Sequence, residues 1–160
     1  MSDDSDGLTK VYVDLPNHWW MKGESMWARP LANDHYEIRN VPFCAYGLNF
    51  GDVVLATASG PGLKPEIRSV ARRSGNRTLR LNFDATVERA RQIVVLNSLV
   101  ARGVTVERAN DRFVCLDVPP GADYQAVQAL LADQEAEGML EYETCEARIE
   151  GSFDDRASDE

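Results

Sequence analysis

Asp52, Cys44, His35 and Tyr46 are the side chains whose types could move protons or form a covalent intermediate. A thiol beside an imidazole makes a nucleophile, and a carboxylate or phenol can act as acid or base, provided the groups come within hydrogen-bond reach. Three of them lie in the Pro- and Gly-punctuated stretch from Asn40 to Val54, with His35 just before it. An enzyme with an improvised site using these four is therefore one expectation. The plainer account makes Cys44 a buried small thiol and His35 an exposed hairpin imidazole. Asp52, after Gly51 and before a strand, has the spacing of turn chemistry, in which a carboxylate accepts from nearby backbone N–H groups. No Gly-x-Ser-x-Gly elbow or phosphate loop is present, and Ser59-Gly60-Pro61-Gly62 is followed by no capped helix, so it reads as a turn. His18 and His35 have no ligand partners at helical or hairpin spacing, so neither a metal nor a cofactor is expected.

Binding residues are easier to find. Trp19 and Trp20 sit in a loop beside Pro16 and Gly23. Such rings anchor a partner or plug the open end of a small barrel, and the sequence leaves both readings open. Trp27 lies inside a strand and reads as core. Arg72, Arg73, Arg77 and Arg80 form a basic ribbon that could grip a phosphate or carboxylate. Tyr46 completes the list of binding candidates. RNA recognition through a sheet would call for exposed aromatic residues, and the strand around Arg80 offers Arg80 and Asn82 instead.

The elements that position these residues follow from periodicity and turn signals. Strands are expected at Lys10–Leu15, Ser25–Leu31, His35–Val41, Asp52–Ala58 and Glu66–Ala71. The second and third form a hairpin through Ala32-Asn33-Asp34. Several short strands with turns between them predict a small β-barrel-like half. The rest of the chain changes rhythm. Arg77–Phe83 alternates with Leu79, Leu81 and Phe83 on one face. A helix over Val87–Ala101 follows, with Asp84 or Thr86 as its cap and an apolar side of Ala90, Ile93, Val94, Leu96 and Val100. Strands at Val104–Glu107 and Phe113–Val118, a helix capped by Asp123 and a strand at Met139–Cys145 complete a ferredoxin-like βαββαβ half. Two helices on one face leave Arg80 and Asn82 on the other, an open, dimer or ligand surface.

The fold class expected is thus α+β, a small β-barrel-like N-terminal half packed on a ferredoxin-like C-terminal half. Residues 1-9 are expected to be disordered, 10-75 to form the first half, 76-150 the second, and 151-160 an acidic flexible tail. The net charge of -9 argues against general nucleic-acid binding, because phosphates would be repelled. An odd number of scattered cysteines, an acidic polar start and no long apolar run point to the cytoplasm, with no signal peptide and no membrane partner.

Met26-Trp27-Ala28-Arg29-Pro30, then Tyr36-Glu37-Ile38-Arg39-Asn40-Val41-Pro42-Phe43, Ala45-Tyr46-Gly47 and Gly51-Asp52-Val53-Val54 resemble a family of small bacterial proteins described as a domain of unknown function. The likeness covers the first half well and the second more weakly, and it implies no catalytic residue. The second half is also similar in plan to regulatory amino-acid-binding domains, a likeness of fold that does not fix function. The expected role is a non-catalytic binding protein of accessory, regulatory or immunity type, engaging a protein or small anionic partner. The alternatives are a small enzyme and an amino-acid-sensing domain acting as a homodimer.

Overall fold

A computed structural model describes residues 7–155. Among the described residues, nine strands and two helices fall into two compact units, residues 7–76 with 145–155, and residues 77–144.

In the first unit, β1 (Thr9–Asp14), β2 (Gly23–Pro30), β3 (His35–Ile38), β4 (Val53–Ala58) and β5 (Pro65–Arg72) pair in sequence order, each antiparallel to the next. A single parallel bridge, Tyr12 with Glu66, joins β1 to β5 and closes the five strands on themselves. The alternation seen in the sequence sets the inner face: Val11, Val13, Met26, Ala28, Val54 and Ala56 are all buried. The β2–β3 hairpin turns at Asn33 and Asp34, with φ of 59° and 62°. Two successive positive φ values make the tight turn whose twist matches the strands, and Asn and Asp tolerate that region better than most residues. Between β3 and β4 the chain crosses the unit through Val41, Cys44, Ala45, Tyr46 and Leu48, all buried. Gly47 and Gly51, at φ 82° and 86°, give the crossing its two left-handed bends. Neither position has room for a side chain, since an added Cβ would lie 3.0 Å from Ala147 Cβ and 3.0 Å from Ser74 Cβ, respectively.

The second unit runs β6 (Arg77–Phe83), α1 (Arg89–Val100), β7 (Thr105–Arg108), β8 (Phe113–Val118), α2 (Tyr124–Ala136) and β9 (Leu140–Thr144). Its sheet has the order β7-β8-β6-β9 and every pairing is antiparallel. Leu79, Leu81 and Phe83 join Val95, Leu96, Leu99, Val127 and Leu131 in one apolar cluster, so the helices cover that face. Asp123 caps α2 as its position predicts, its Oδ1 accepting from Ala126 N at 3.1 Å.

Four expectations need correction. The cap of α1 is Glu88, with no side-chain bond, because Asp84 is spent on the turn before it, accepting from Thr86 N. The buried side of α1 is Gln92, Val95, Leu96 and Leu99, while Ile93, Val94 and Val100 are exposed. This helix is apolar on both arcs, so periodicity alone could not phase it. The second sheet face is not open at Arg80, for Thr78, Arg80, Cys115 and Asp117 are buried and only Asn82 of the predicted pair meets solvent. Finally, residues 151-155 are not a loose tail. Phe153 packs on the first unit's core, Asp154 is 1% exposed, and its Oδ2 accepts from Asn17 N at 2.6 Å. Gly47 N donates to Cys145 O and Tyr46 N to Phe153 O, so the last segment belongs to the first unit. Residues 156-160, like 1-6, lie outside the described residues, and Thr9 already stands in a strand.

The phase of α1 is testable by a pair of substitutions. Leu99→Ala is expected to lower unfolding free energy by about 2–5 kcal/mol, because it opens a cavity in a closed core. Val94→Ser is expected to stay within about 0.5 kcal/mol, as surface changes do. Equal losses in urea denaturation would show that the helix is turned the other way.

Candidate binding surface

The loop between β1 and β2 is short, and its shape is set by one buried imidazole. His18 is 5% exposed, and its Nδ1 accepts from Trp20 N at 3.1 Å and from Met21 N at 3.0 Å. An acceptor at Nδ1 places the ring proton on Nε2. Below it, Leu15 N donates to Lys22 O and His18 N to Leu15 O, which pins the base of the loop. The Asn17–Asp154 bond ties the same loop to the returning C-terminal segment.

With the backbone satisfied in this way, the large side chains turn outward. Trp19 is 74% exposed, Trp20 54% and Met21 39%. The two indoles stack at 5.9 Å with 29° between their planes, and His18 stacks on Trp19 at the same distance. Trp27, expected to be core, lies in β2 but outside the buried cluster, half-buried with Lys10 Nζ 4.5 Å from its ring centroid.

The remaining binding candidates do not make one surface. Tyr46 is buried, with Arg148 stacked 4.4 Å from its ring centroid. Arg73 is engaged by the crossing, where its Nη1 meets Gly47 O and Asp52 Oδ2. Arg72 is exposed at the end of β5. Arg77 lies 3.9 Å over the Tyr124 ring, and Arg80 is buried and ion-paired to Glu143 at 3.3 Å. A ribbon of equivalent exposed cations was the expectation. Strand alternation and local partners split it, which removes Tyr46 and Arg80 as presented binding groups.

Besides Tyr46, the other three groups of the enzyme reading each sit in a local structural arrangement. Asp52 is fully buried and accepts from Asn49 N at 3.0 Å and Ser74 N at 2.9 Å. Cys44 is buried, and its backbone N–H, with those of Phe43 and Ala45, donates to the carboxylate of Glu24. His35 Nδ1 lies 2.8 Å from Asn33 O in its own hairpin. Glu24, His18 and Asp154 are the residues that sequence reasoning missed. Glu24 reaches across 19 to 21 positions, and no local spacing announces that. His18 did carry a signal, an imidazole two and three residues before the N–H groups it accepts.

The family model for DUF4265, a domain of unknown function, matches residues 24–142. The chain belongs to this family. The matched span of the DUF4265 chain starts at Glu24, the residue that clamps the crossing, and ends within β9. No curated protein matches it in sequence. Its fold is similar to the crystal structure of a hypothetical protein from Neisseria gonorrhoeae, with a TM-score of 0.73 and 14% identity over 86% of this chain and 94% of that one. Identity that low speaks for shared architecture alone. Among the described residues of the DUF4265 chain, no helix is long and apolar enough to cross a membrane.

Proposed function

We propose that this DUF4265 protein is a non-catalytic binding protein of accessory, regulatory or immunity type, working in the cytoplasm. It engages a partner protein through the Trp19-Trp20-Met21 tip. The two units are a small β-barrel-like half and a ferredoxin-like half. The parallel bridge that closes β1 on β5 and the order β7-β8-β6-β9 support that reading. The buried thiols of Cys44, Cys115 and Cys145 fit a reducing compartment.

One observation carries the functional reading: two stacked indoles and a methionine stand in water on a loop whose backbone is already fixed. Exposed aromatic surface of this kind is unfavourable in isolation and is what interface hot spots are made of. Because the loop is held before binding, little ordering cost remains when a partner closes over it. A protein with an apolar pocket fits this tip better than a small anion, since Arg73 and Arg80 already have acceptors.

Trp19→Ala and Trp20→Ala are expected to leave the thermal melt within a few degrees of the parent. Each is expected to weaken partner capture from a native lysate by roughly 30-fold or more, the effect of removing a hot-spot indole. Undiminished capture by the double variant would end the proposal.

A further inference from the structure

The two helices of the second unit turn an uncharged face to solvent. On α1, Ile93, Val94 and Val100 are exposed, and the exposed Ala90 and Ala101 stand three and seven positions from them. Residues three and four apart share a helix face, so these five make one stripe opposite the buried Val95, Leu96 and Leu99. Single exposed apolar residues are ordinary, but a stripe along the whole of a helix marks a contact surface. On α2 the outer positions include Ala129, Ala132 and Ala136, also exposed.

The charges beside these stripes say what covers them. Every charged side chain within α1 is basic, Arg89 and Arg91, and Arg102 follows its C-terminus. Every charged side chain within α2 is acidic, Asp133 and Glu135, and Glu137 follows. Arg91, Asp133 and Glu137 make no ion pair among the described residues. Strand directions fix the layout. β6 and β7 run one way and β8 and β9 the other, so α1 and α2 are antiparallel. The N-terminus of α1 and the C-terminus of α2 therefore lie at the same end of the sheet, where β6 finishes. α1 carries arginines at its positive end and α2 carboxylates at its negative end, in each case the reverse of the stabilising arrangement.

We propose that a second copy of this chain covers these helices. The two copies meet helical face to helical face about a twofold axis parallel to the helices, α1 of each lying antiparallel on α2 of the other. A twofold in that direction exchanges the helices sideways and leaves their ends at the same height. Arg91 of one copy thus meets Asp133 and Glu137 of the other, and each positive helix end meets a negative one. Ile93, Val94 and Val100 fill the shallow row along Ala129, Ala132 and Ala136. Packing α1 on α1 instead would set arginines against arginines. Two short helices offer roughly 400 Å² a side, at about 1.5 Å per residue and about 10 Å between axes. That is a small interface, so the dimer forms reversibly.

Sedimentation velocity of the full chain from about 5 to 500 µM tests this assignment. The expected result is a monomer that passes to a dimer as concentration rises, less readily at high salt. Arg91→Glu and Asp133→Arg are each expected to weaken the dimer about tenfold or more, because each sets like charges together at two symmetric places. An equimolar mixture of these two variants is expected to restore it, since both contacts between unlike copies then pair opposite charges. The Trp19→Ala, Trp20→Ala double variant dimerises unchanged, which separates this face from the indole tip. A monomer throughout the range overturns the proposal. So does a dimer that either charge reversal leaves intact, or that mixing the two fails to restore. Loss of the dimer in the indole double variant overturns it as well, because the contact would then be the β1–β2 loop.

Discussion

Glu24→Ala is expected to lower the unfolding free energy by about 3–5 kcal/mol, a large part of the 5–15 kcal/mol typical of a domain. The carboxylate accepts from three successive amides, Phe43 N at 2.5 Å, Cys44 N at 2.9 Å and Ala45 N at 3.0 Å. Hydrogen bonds to a charged acceptor are about twice as strong as neutral ones. Removing the acceptor also strands donors in a segment where Cys44 and Ala45 are buried. Glu24→Gln keeps one acceptor oxygen and turns an N–H₂ toward the other donors, so it is expected to recover less than half the loss. Urea midpoints of the three proteins decide the matter. A Glu24→Ala midpoint indistinguishable from the parent would mean that the crossing holds itself.

Asp52→Ala is the second large effect, at about 2–5 kcal/mol. This fully buried carboxylate joins the end of the crossing at Asn49 N to the chain after β5 at Ser74 N. Its third contact, Arg73 Nη1 at 3.4 Å, belongs to a side chain 58% exposed and contributes less, as exposed ion pairs do. Arg73→Ala is therefore expected to cost under about 1 kcal/mol, and the contrast identifies the amides rather than the ion pair as the reason Asp52 is buried. Equal losses in the two variants, measured by the same denaturation, would reverse that ranking.

Much of the chain was legible before its coordinates. Strand alternation around Val11, Met26 and Leu79 fixed which side chains face inward, and Asn33-Asp34 announced its turn. What stayed hidden was of three physical kinds. Bonds that span long loops, such as Glu24 to Ala45, leave no local pattern. A helix apolar on both arcs does not reveal which arc is buried, and Val94 at 69% exposure against Leu99 at 0% shows the cost of guessing. Acidic composition after Gly151 suggests a solvated tail, yet one carboxylate there, Asp154, is buried because a backbone N–H waits for it. In the β1–β2 loop, the Trp19-Trp20 pair was visible as residue types, but its exposure was not. That depends on His18 satisfying the loop backbone so that nothing pulls the indoles inward.

The return of Cys145–Asp155 to the first unit makes Arg77–Thr144 an insertion within a split partner. A ribosome delivers the inserted stretch whole, while the surrounding unit waits for Phe153 and Asp154 to emerge. The outer unit's core is therefore completed by a segment that follows the whole insertion in sequence, so its closure joins contacts from both ends of the chain.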